Sequence, residues 1–60
     1  ANTALKYRTG QNVKHTQFGE GIVIDSKWVG NDEITTVAFQ SVGVKRILAT
    51  AEQLSSAPSS

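Results

Sequence analysis

Sixty residues hold one small domain, because a chain this short buries only about 60% of its unfolded surface and keeps a margin on the order of a few kcal/mol. An apolar fraction of 38% can form a packed core, and the lack of cysteine excludes disulfides and thiolate metal sites. A formal charge of +1 is too small to indicate a nucleic-acid partner by itself, and no apolar run nears the roughly 20 residues that cross a bilayer, so a cytoplasmic, monomeric module away from membranes is the expectation.

Residues 1–9 (ANTALKYRT) carry no sustained period of two or of 3.6 and read as a linker from a preceding domain, with Leu5 and Tyr7 able to cover one edge of the core. Lys6, Arg8 and Lys14 all precede the first acidic residue. They could track phosphates, or they could be a solvated connector. Turn signals then recur at Thr9-Gly10, Gly19 to Gly21, Gly30-Asn31-Asp32 and Ser41-Val42-Gly43, about 8–12 residues apart, the spacing of short antiparallel strands.

The implied strands are Asn12 to His15, Ile22 to Trp28, Ile34 to Phe39 and Val44 to Leu48. The pivotal stretch is VKHTQFGEGIVI, residues 13–24. Its two glycines suit a corner where φ turns positive or a side chain would clash, and Phe18 is placed beneath that corner as a core plug. In the third strand Thr35, Val37 and Phe39 share the face with the larger apolar area, which is the expected interior. The fourth strand carries a cation on each face, Lys45 and Arg46, and is expected to twist or to lie at an edge.

After Leu48, Thr50-Ala51-Glu52-Gln53 fits a capping box and predicts a short helical turn closed by Leu54. Residues 55–60 (SSAPSS) read as a flexible tail with no means of packing. The fold class is therefore all-β: a small, strongly bent antiparallel barrel of about five short strands over residues 10–54, closed to remove its sheet edges.

Catalytic chemistry has little to work with. His15 is the one histidine, and no spacing sets a nucleophile beside a base. Asp25, Asp32 and Glu33 show no convincing partner, and Asp32-Glu33 beside Gly30-Asn31 reads as turn chemistry and solvation. No cluster has metal-ligand spacing. Neither a catalytic residue, a metal nor a cofactor is expected.

The residues in order carry a resemblance. Gly10-x-x-Val13-Lys14-His15-x-x-Phe18-Gly19-Glu20-Gly21-x-Val23, then Val37-Ala38-Phe39, then Gly43-Val44-Lys45-Arg46-Ile47-Leu48, together resemble the Tudor-like C-terminal domain of UvrD/PcrA-type bacterial DNA helicases, over about Tyr7 to Leu54. The resemblance implies a Src-homology-3-like (Tudor-like) barrel tethered to an ATP-driven superfamily 1 motor. It also implies an adaptor role, with RNA polymerase (its β subunit) or the excision-repair protein UvrB as partner. The motor's G-x-x-x-x-G-K-[ST] motif is absent, so this chain is not itself the helicase. The Lys27 to Glu33 loop departs from the family pattern, and Trp28 matches nothing in it.

Partner binding is assigned to Lys45 and Arg46 with Val44 beside them, and to Trp28 and Glu20. Lys45 and Arg46 are either edge cations that block sheet-to-sheet association or anchors for an acidic partner, Lys45 as a point charge and Arg46 as a fork. Trp28 is either packed at the barrel edge or an exposed anchor. Glu20 either holds the corner or meets a basic patch. Four aromatics, two of them wanted in the core, are too few for a methyl-lysine cage. Strand addition at an open edge is the natural docking mode. The alternatives are a nucleic-acid-binding barrel using Lys6, Arg8, Lys14, Lys45 and Arg46, and a purely structural appendage.

Overall fold

Each β-branched, alternating stretch forms a strand where the turn residues allow it. In a computed structural model that describes residues 5–57, five strands appear: β1 (Asn12–His15), β2 (Gly19–Val29), β3 (Asp32–Phe39), β4 (Gly43–Leu48) and β5 (Leu54–Ser56). Residues 1–4 of the expected linker and 58–60 of the expected tail lie outside the described residues. The strands make one antiparallel sheet in the order β4-β3-β2-β1-β5.

The inner face holds the core of Tyr7, Val13, Val23, Val37, Phe39, Ala49 and Leu54, with Phe18 and Ile47 packed at its margin. Thr35, Val37 and Phe39 point inward as the period of two requires. Each fully buried valine contributes about 1.5–3 kcal/mol, so a handful of residues supplies most of the stabilisation of so small a domain. The long β2 passes from one end of the core to the other because of a bulge between Val23 and Asp25. Without it, alternation after Val23 would aim Asp25 inward; the extra residue leaves Ile24 and Asp25 exposed and turns Ser26 in.

The glycine pair does two separate things. Gly19 has φ = 80°, the left-handed value that starts β2 out of the turn. Gly21 lies within β2, and a Cβ there would come to 2.7 Å from Val37 Cγ1, 2.8 Å from Phe39 Cδ1 and 2.9 Å from the Ala38 carbonyl oxygen. The β2 backbone thus passes too close to β3 side chains for any larger residue.

Three expectations are corrected. The sheet is open, not a closed barrel: β5 pairs with β1, at the opposite edge from β4. The segment from Ala49 to Gln53 carries the chain across the end of the core, tucking Ala49 inside, and delivers β5 to that far edge. No helical turn forms there. Ala51 N–H donates to the Leu48 carbonyl (3.0 Å) and Leu54 N–H to the Ala51 carbonyl (3.2 Å), two turns that drop Leu54 into the core as the first residue of a strand. Ser55 and Ser56, expected to have no means of packing, pair with Lys14 and Val13, since a ladder is made by backbone groups and needs no apolar side chain. Gln11 Nε2 adds a 2.7 Å bond to Ser56 Oγ.

At the other end, Tyr7 of the expected linker is almost fully buried and its hydroxyl donates to the Leu54 carbonyl at 3.3 Å. The folded unit therefore reaches past residues 10–54 on both sides.

Candidate functional site

Among the described residues β4 is an edge strand that pairs with β3 alone, as its mixed charges suggested. Ala49 N–H donates to the Glu33 carbonyl at 2.9 Å and continues the register Ile34↔Leu48, Thr35↔Ile47. In an antiparallel ladder bonded and non-bonded pairs alternate. Thr35/Ile47, Val37/Lys45 and Phe39/Gly43 are therefore the bonded pairs, and the N–H groups of Val44, Arg46 and Leu48 point away from the sheet. Leu48 already spends its carbonyl on the turn.

Side chains along β4 alternate between two faces. Lys45 lies opposite the buried Val37, on the inner side, with its Nζ 5.8 Å from the Phe18 ring centroid. Phe18 stacks on His15 at 4.3 Å and meets Phe39 edge-on at 5.3 Å. His15 is a structural residue: its Nδ1 accepts from the N–H groups of Gln17 (3.0 Å) and Phe18 (3.2 Å), which pins the β1–β2 turn beneath Lys45. Val44, Arg46 and Leu48 stand on the outer face opposite Ala38, Thr36 and Ile34. Val44 is 61% exposed and Leu48 46%. Ile22 continues that face across Ala38, so Ile22, Ala38 and Val44 form one apolar row over three strands.

Glu20 is exposed at the start of β2, opposite Lys14, and its carbonyl accepts from Gln40 N–H at 3.3 Å. It thus belongs to the same end of the sheet as Phe18 and the β3–β4 turn. Trp28 sits near the far end of β2, opposite Glu33, and is 42% exposed. That separates it from Glu20 by eight positions, on the order of 25 Å of strand. The basic residues are also dispersed. Lys6 stands with its ammonium 5.8 Å from the Tyr7 ring, Arg8 precedes the turn into β1, and Lys14 is on the outer face of β1 beside Glu20. The geometry unites Val44, Lys45 and Arg46, sets Glu20 nearby, and leaves Trp28 and Lys6 at the opposite end.

The residue that sequence reasoning missed is Glu33. Far from being solvated turn chemistry, it is buried at 6% exposure. Its carboxylate accepts from Lys6 N–H (2.9 Å to each oxygen), Tyr7 N–H (3.1 Å) and Ser26 Oγ (2.6 Å), and Ser26 bonds Thr35 at 2.9 Å. Burial pushes its pKa up, but the bonds from Ser26, Lys6 and Tyr7 with the nearby Lys6 charge prevail and hold it below the ordinary glutamate value. Burial, reinforced by the Glu33 charge, raises Tyr7. The signal was present: extending the inward face of Thr35, Val37 and Phe39 by two residues lands on Glu33.

A family model described as the PcrA/UvrD tudor domain matches residues 9–52. The chain belongs to that family. Over 50 residues it is 38% identical to DNA helicase II of Escherichia coli (strain K12), and over 48 residues 38% identical to DNA helicase II of Salmonella typhimurium (strain LT2). These alignments cover 83% and 80% of this chain but 7% of each relative, so the PcrA/UvrD tudor domain described here spans a small part of the proteins it matches. It is a small all-β tudor domain of the PcrA/UvrD family, consistent with a non-catalytic module. Within the tudor domain, the matched span runs from the turn before β1 through all of β4, and so includes the Lys45 and Arg46 edge.

Proposed function

We propose that this tudor domain is the non-catalytic docking module at the C-terminal end of a UvrD/PcrA-like superfamily 1 DNA helicase, holding the motor to RNA polymerase or to an excision-repair protein of the UvrB type. The observation that carries this reading is β4: an edge strand with outward backbone N–H groups, an exposed aliphatic pair and two cations, in a domain found in DNA helicases. Lys45 and Arg46 provide the polar anchors, Val44 the apolar contact, and Glu20 borders the same end. Trp28, at the far end of β2, would be engaged only by a partner that extends along the hairpin. The competing reading, DNA phosphates held by Lys6, Arg8, Lys14, Lys45 and Arg46, needs those cations to converge, and they stand on different faces and ends of the sheet.

The test is an NMR titration of the labelled domain with an RNA polymerase β-subunit fragment and, separately, with a short DNA duplex. Shifts confined to Gly43–Leu48 with the polymerase fragment support docking. Shifts at Lys6, Arg8 and Lys14 with DNA, falling steeply with salt, would replace it with the phosphate reading.

A further inference from the structure

The two β4 cations cannot be met from one side. Lys45 stands on the inner side of the edge above Phe18, Arg46 on the outer side between Val44 and Leu48. A helix or a phosphodiester strand lying against either face would engage one of them. A strand laid along β4 engages both, because its own successive side chains also alternate between faces. The outward N–H groups of Val44, Arg46 and Leu48 are aimed where such a strand would place its carbonyls.

We infer that the β4 edge recognises an extended protein segment with two consecutive carboxylate residues flanked by aliphatic ones, one carboxylate for Arg46 and the next for Lys45. This rests on the docking reading and specifies its ligand. Residues directly opposite one another in a ladder share a face and contribute about 0.2–1 kcal/mol per pair when matched. Opposite Val44, Lys45, Arg46, Ile47 and Leu48 the matched order is aliphatic, acidic, acidic, aliphatic, aliphatic. Asp25, the outer-face acid nearest in register to Arg46, is two strands away, about 10 Å at the usual strand spacing, and leaves the guanidinium available. The same cations oppose a second copy of this chain, since a β4–β4 pairing sets Lys45 and Arg46 against their equals. An acidic strand is admitted and self-association discouraged by the same two residues.

The probe is a synthetic peptide, Ser-Val-Val-Glu-Asp-Val-Val-Ser, titrated into the labelled 60-residue domain. Its control, Ser-Val-Glu-Val-Asp-Val-Val-Ser, has the same composition with both acids on one face. The first peptide should shift the amide protons of Val44, Arg46 and Leu48 downfield, leaving Lys45 and Ile47 less affected. The control, which mismatches two of the pairs, should bind about two- to thirtyfold more weakly, and K45A and R46A should each weaken the first peptide while leaving the spectrum folded. Equal affinity for the two peptides, or shifts without the alternation along β4, would overturn the inference. If neither peptide binds while a polymerase fragment still shifts Gly43–Leu48, docking survives and the two-carboxylate strand is refuted; if the fragment also leaves β4 unmoved, the docking reading falls with it.

Discussion

Substituting Glu33 probes the least expected feature of this domain. Three donors converge on its carboxylate: two backbone N–H groups, Lys6 and Tyr7, and the Ser26 hydroxyl. The Lys6 amide lies near solvent and can rehydrate, so most of the penalty falls on Tyr7 N–H and Ser26 Oγ, both buried. Leaving a buried donor unsatisfied costs about 1–3 kcal/mol, and bonds to a charged acceptor are the stronger kind, so Glu33→Gln should cost about 3 kcal/mol. Gln keeps the shape and one acceptor but turns an NH₂ toward donors. A domain this size has about 3–9 kcal/mol in hand at the usual stability per residue, so the variant should lose a third or more of its stability and show a clearly earlier urea midpoint. The pH dependence gives an independent reading. A carboxyl with a folded-state pKa below its ordinary 4.5 stabilises fully above that value and loses its contribution as pH falls through the lower folded pKa. The parent should therefore lose stability below about pH 4.5, and the difference between parent and Glu33→Gln should shrink over that window. A Glu33→Gln midpoint within about 0.5 kcal/mol of the parent at pH 7 would refute the reasoning, because changes that small are typical of surface positions.

Gly21→Ala should destabilise by about 1–3 kcal/mol, since its Cβ meets two core side chains and a carbonyl that has no freedom to retreat; differential scanning calorimetry reads this as a drop of several degrees in Tm. Tyr7→Phe should cost about 0.5–1.5 kcal/mol by orphaning the Leu54 carbonyl, and amide exchange should quicken across β5 before the rest of the sheet. Lys45→Ala should leave the denaturation curve unchanged to within about 0.5 kcal/mol, because Lys45 is exposed, while weakening a polymerase fragment in a binding titration. Undiminished binding by a folded Lys45→Ala variant would remove that residue from the site.

The strands were legible because their signals are local. Alternation placed Val37 and Phe39 inside, the turn signals fell at the ends of β1 to β4 although β2 takes in Gly19 to Gly21 and β3 takes in Asp32, and mixed charge on Val44 to Leu48 marked an edge. The block from Gly10 to Val23 carried enough specific positions to show the family. Glu33 was read as solvated turn chemistry and Trp28 was left between edge packing and an exposed anchor, for a shared reason: they face each other across the β2–β3 hairpin, so their burial depends on what covers that end of the sheet. For Glu33 the cover is Lys6 and Tyr7, more than 25 residues earlier in the chain, in a segment whose own pattern reads as a linker.

By itself, then, the sequence determined an all-β domain, four of its strands, the inward face of β3 and the cationic edge, all consequences of short-range steric and hydrophobic patterning. Tertiary structure decided whether the sheet closes, where residues 54–56 pair, and which carboxylate is buried. It also put Lys45 and Arg46 on opposite sides of an edge whose amides face outward. Those outcomes depend on pairing between distant segments, where backbone groups of any residue type can bond. They are set by the competition of whole strands for the same edges.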